Sequence, residues 1–165
     1  MPVTYEPIAT ATATGSFDSL YFYSIPSTYT DFKVVAVTRS STLSDWRIRF
    51  NNETTTSTSY STTILRADGA SVTSTRTTST NGITVGRIVN VADTYSLTII
   101  DVFNYAGSAN KTVLCESSAD LNGSGQVMRT VGLWRNTAAI NTIQLYHPGE
   151  NSFIGPVTLY GIKKA

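Results

Sequence analysis

At 165 residues the chain is one domain by length, long enough to bury roughly 70% of its unfolded surface without a metal or a disulfide. Twelve basic residues against eleven acidic ones leave a net charge of +1, so the basic excess of a nucleic-acid binder is missing. Charged residues make up only 14% of the chain, while Ser and Thr exceed a quarter of it and there are nine Tyr. Thr, Tyr and Val suit a half-buried pleated surface better than a helix, and composition therefore points to a β protein dressed in hydroxyls.

Residues 1–14 are set apart by Pro2 and Pro7 and by Ala/Thr alternation ending at Gly15. Two prolines exclude a regular central strand, so this segment reads as an extended arm or an edge strand, with Val3, Tyr5 and Ile8 as candidate contacts to a neighbouring subunit. A first strand is expected over residues 17–25, stopped by Pro26. Residues 32–38 are nearly continuous in apolar side chains, which suits a central strand covered on both faces. In Trp46-Arg47-Ile48-Arg49-Phe50 alternation is strict. It places Trp46, Ile48 and Phe50 in the core and Arg47 and Arg49 on the opposite face, open to solvent or to an ion pair across a subunit boundary.

Residues 53–81 are Thr- and Ser-rich, with one strand expected near 60–66, a turn at Asp68-Gly69 and a loop or weak edge strand over 71–81. Strands follow at 83–91, 95–105, 111–117, 126–135, 140–146 and 156–163. The spacing predicts an antiparallel β-sandwich or jelly roll of about eight to ten strands occupying residues 15–165. Helix signals are almost absent; residues 136–140 could form one turn. The N-terminus carries no basic and apolar leader and no apolar run approaches a membrane span, so a soluble chain outside the standard secretion route is expected.

Chemistry is hard to find along this chain. His147 is the single histidine, precedes Pro148 at a strand exit, and reads as a surface residue rather than a general base. Nucleophile-elbow, phosphate-cradling and zinc-helix motifs are missing, and no pair among the scattered carboxylates suggests a glycosidase. Asp120-Leu-Asn-Gly-Ser-Gly lacks the further acids of a calcium loop and reads as a hairpin connection. Cys115 stands alone beside Val113 and Leu114, as a reduced, buried thiol would. No cofactor or metal is expected. Trp134, facing opposite to Leu133, is a candidate interface anchor, as is Tyr160; the aromatic residues could alternatively stack on sugar rings.

The C-terminal pattern Gly132-Leu-Trp-Arg-Asn-Thr-Ala-Ala-Ile140, Ile143, Leu145, Phe153 and Thr158-Leu-Tyr-Gly-Ile162 resembles a module of tailed-bacteriophage virion proteins, especially of phages of aquatic bacteria. Ser24-Ile-Pro-Ser-Thr-Tyr-Thr-Asp31, Arg47-Ile-Arg-Phe-Asn51 and Asn104-Tyr-Ala-Gly107 extend the likeness over residues 5–163. The resemblance implies a trimeric β-sandwich on the virion. Because the chain begins at Met1 and leaves no room for a fibre shaft, the expected role is a capsid decoration protein. As such it would bind the major capsid protein as a homotrimer and touch neither nucleic acid nor membrane. The alternative is a tail-fibre tip that recognises host glycans.

Overall fold

The computed structural model describes residues 5–16, 18–54, 58–149 and 152–163. Twelve strands run through them: β1 (Tyr5–Thr14), β2 (Ser19–Phe22), β3 (Asp31–Ser40), β4 (Ser44–Phe50), β5 (Tyr60–Ala67), β6 (Val72–Thr80), β7 (Ile83–Ile88), β8 (Ser96–Phe103), β9 (Lys111–Asp120), β10 (Gly125–Trp134), β11 (Ile143–Tyr146) and β12 (Phe153–Ile162). They form an all-β sandwich of an eight-stranded sheet, ordered β1-β12-β3-β8-β9-β10-β5-β6, and a four-stranded sheet, ordered β2-β11-β4-β7. Every pairing between named strands is antiparallel.

The strand order contains a jelly roll. Strands β1, β12, β3 and β8 in one sheet and β2, β11, β4 and β7 in the other are the two four-stranded halves of that architecture, with successive strands crossing between sheets except at β4 and β7, which pair within one sheet. Two hairpins are inserted into it: β5–β6 between β4 and β7, and β9–β10 between β8 and β11. Both add to the β8 side of the larger sheet and double its width.

The sheets meet on aromatic rings. Trp46 packs edge-on against Phe153, and Phe50 touches Phe32, Tyr60 and Trp134 with centroids 5.4–6.4 Å apart. All six are buried, and such ring pairs contribute beyond their area alone. Strict alternation in β4 places Trp46, Ile48 and Phe50 inward, as the sequence pattern requires. Gly132 sits where β10 crosses the smaller sheet; a Cβ there would lie 2.5 Å from Ile83, so only glycine allows the two layers to approach this closely.

Several expectations need correction. Twelve strands are described where eight to ten were expected, because residues 5–14 and 72–80, each expected as an edge strand or as irregular chain, both form edge strands. Strand β3 is covered on one face only: Val34 and Ala36 are buried, whereas Val37 is exposed. Apolar runs do not reveal which face is covered when the outer face is itself apolar. Residues 136–140 contain no helical turn. Residues 5–14 form an edge strand on β12, with a bulge between Pro7 and Ala9; the proline and bulge break the regular outer edge, a common protection against edge pairing. Thr10 Oγ1 meets Thr158 Oγ1 at 3.0 Å, and the Lys163 ammonium bonds Glu6 at 2.8 Å.

Trp46→Ala removes a fully buried ring of the seam and should cost roughly 3–5 kcal/mol of stability. Chemical denaturation measures it; an unchanged unfolding midpoint would show that Trp46 is not a core anchor.

Candidate interaction face

The smaller sheet covers only the inner face of the larger one. On the outer face, side chains follow the register row by row. One row runs Ile99, Glu116, Arg129, Leu65, Ser74 across β8, β9, β10, β5 and β6; the next runs Leu97, Ser118, Val127, Ala67, Val72; a third runs Asp101, Leu114, Val131, Thr63, Arg76. Five aliphatic side chains in these rows stand in water: Leu65 is 50% exposed, Val72 69%, Leu97 40%, Val127 60% and Val131 51%. The surface is concave, a trough of about 460 Å³ with Leu97 and Ile99 on one wall and Leu65 and Val72 on the other. Glu116 and Arg129, both more than half exposed, also line it and form a 3.0 Å ion pair. A contiguous exposed aliphatic surface of this kind marks an interaction site.

Alternation in β10 explains the face. Met128, Thr130, Gly132 and Trp134 point inward, so Val127, Arg129, Val131 and Leu133 must point outward. This also corrects the placement of Trp134 as an interface anchor. Its ring is fully buried and its indole N–H donates to Glu53 Oε2 at 2.7 Å.

The other expected contacts scatter. Val3 lies outside the described residues. Tyr5 is exposed and Ile8 half-buried at the bulge, both at the far edge from the trough. Tyr160 is half-buried on β12 beside Lys33. Arg47 and Arg49 share the outer face of the smaller sheet, but both are engaged within the chain. Arg47 Nη1 donates to Asn81 Oδ1 at 2.7 Å, Arg49 Nε donates to the Asn81 carbonyl at 2.5 Å, and the Arg49 guanidinium lies 3.8 Å from the Tyr146 ring centre.

Two buried ionisable groups escaped the sequence reading. Lys111 is fully buried and donates to the carbonyls of Gly107 (2.7 Å) and Ala109, with Thr137 at 3.5 Å. Burial holds its pKa below the ordinary lysine value. Its role is to gather three loop carbonyls at the start of β9. His147, expected at the surface, is only 1% exposed, because the chain turns in after β11 and its Nε2 makes a short hydrogen bond with Ser44 Oγ. A Ser–His contact begins a nucleophile–base arrangement, but a ring this buried is closed to a substrate carbonyl, and the pair ties the start of β4 to the exit of β11. The Cys115 thiol is buried too, which pushes its pKa up and keeps it from acting as a thiolate. Among the described residues, no group of three His, Cys, Asp or Glu converges to hold a metal ion.

No protein-family model matches the chain, and neither the curated proteins nor the solved structures contain a significant match to it.

Burial lowers the His147 pKa below its ordinary 6.5, outweighing the opposing influence of the Pro148 backbone, Asp18 and Asp45. The native state then binds fewer protons than the unfolded one between the lowered value and 6.5, so stability is full above that window and falls as pH drops through it. Melting temperature followed from pH 7 downward should decline in the wild type, and His147→Gln should flatten that decline; equal slopes would remove His147 as the acid-sensitive group.

Proposed function

We propose that this protein is a non-enzymatic building block of a bacteriophage particle, a capsid decoration protein that clamps the outer shell as a homotrimer. The observation carrying this reading is the outer face of the eight-stranded sheet. It presents aliphatic side chains over five strands, a surface suited to another protein rather than to a small substrate. The jelly roll supports it as an architecture frequent in viral coat domains, although a fold alone assigns no role. Low charge and an abundance of hydroxyls suit a surface repeated many times over a shell, where like charges on neighbouring copies would repel. The partners under this reading are the major capsid protein and further copies of the chain.

A second reading has its own observation. Tyr21 and Tyr23 stack with centroids 5.4 Å apart and planes 3° from parallel, and both are exposed. An exposed aromatic pair offers apolar ring surface to a sugar, as a tail-tip component recognising host glycans would need.

Quantitative gel analysis of highly purified particles separates these. A decoration protein should approach the copy number of the major capsid protein, while a faint band with glycan-array binding lost in Tyr23→Ala would favour the tail tip. Absence of the chain from purified particles would overturn both.

A further inference from the structure

We propose that the outer face of the eight-stranded sheet is where copies of this chain meet, packed around a rotation axis that runs along the strands. The inference rests on the self-associating protein proposed above and names the surface and its register.

The first argument is charge. From β8 to β6 the two signs are segregated: Asp101 and Glu116 lie on the β8–β9 half, Arg129 and Arg76 on the β10–β6 half, with Asp101 also paired to Lys33 on neighbouring β3 at 2.7 Å. Rotation about an axis parallel to the strands brings the acidic half of one copy against the basic half of the next, and it preserves height along the strands. Glu116 and Arg129 are direct cross-strand partners, so they stand at the same height. Glu116 of one copy therefore meets Arg129 of its neighbour without any shift in register, and the walls that meet are Leu97 with Ile99 against Leu65 with Val72. A two-fold axis lying across the strands, in the plane between the packed faces, would reverse the strand direction and lose this match of heights. Opposite signs brought into register direct which surface pairs with which.

The second argument is area. The five exposed aliphatic side chains leave on the order of 450 Å² of apolar surface in water, within the range where patches mark interaction sites. A standard interface buries roughly 800 Å² per partner, and the polar residues of the same three rows, Ser118, Thr63, Ser74 and Arg76 among them, would add to this apolar area. The present 3.0 Å pairing of Glu116 with Arg129, both more than half exposed, is worth little in water, so exchanging partners between copies costs little while burial of the aliphatic walls is gained.

The test is the solution mass of the full chain by sedimentation velocity and light scattering. The wild type should show a multiple of 17.8 kDa, the multiple giving the order of the axis. Glu116→Arg and Arg129→Glu should each weaken association by about tenfold or more, and the double variant E116R/R129E should recover it. Val127→Lys should yield a monomer with unchanged circular dichroism and melting curve at low concentration, since its side chain makes no core contact. A monomeric wild type, or an oligomer untouched by V127K, would overturn the interface. A monomer that still co-purifies with particles would refute this face and spare the virion reading; an oligomer absent from particles would do the reverse.

Discussion

The structure depends on an unequal contact: four strands cover the inner face of eight. The aromatic seam of Trp46, Phe153, Phe50, Phe32, Tyr60 and Trp134 holds the two layers together, and the close approach at Gly132 sets how tightly they pack. Because burial of these rings supplies the main driving force, the inner face is nearly free of charge. What the smaller sheet cannot reach is left to hydroxyls and to ion pairs. Arg66 on β5 and Arg87 on β7 both grip Asp45 on β4, at 2.5 and 3.0 Å, and so join the wide sheet to the narrow one at their margin.

The abundance of Ser and Thr has a physical place in this arrangement. On the inner face, Thr98 donates to Ser117 at 3.3 Å, and Ser96 accepts from the Val89 amide at 2.8 Å. Pairing offsets the cost of burying these hydroxyls, whereas the buried Thr38, Thr62 and Thr130 hydroxyls have no hydrogen-bond partner among the described residues of the chain. On β6 nearly every residue is exposed, and Thr satisfies strand propensity there without adding apolar surface. The same residue type thus serves the interior and the outermost edge for different reasons.

The inserted hairpins β5–β6 and β9–β10 connect the fold to the function proposed. They are dispensable to the jelly-roll connectivity, yet they contribute most of the exposed aliphatic trough and both bases on its far half. The ionisable groups that could have suggested catalysis, His147, Lys111 and Cys115, are instead buried among backbone carbonyls, a serine hydroxyl and apolar neighbours. They serve packing and loop closure.

Period-two alternation and turn residues by themselves determined the all-β class, the antiparallel sandwich and the inward set Trp46, Ile48 and Phe50, because a strand's side chains must alternate whatever surrounds it. They also located most of the strands to within a few residues. Which of two apolar faces is covered was beyond them: Val35 and Val37 look like core beside Val34 and Ala36 until the smaller sheet is seen to lie on one side only. The outward direction of Val127 and Val131, the burial of Trp134 and His147, and the rows linking Ile99 to Leu65 all rest on pairings between strands far apart in the chain. Alternation within a strand is local and readable; the choice of face is made by a partner sheet, and only the tertiary structure supplies that partner.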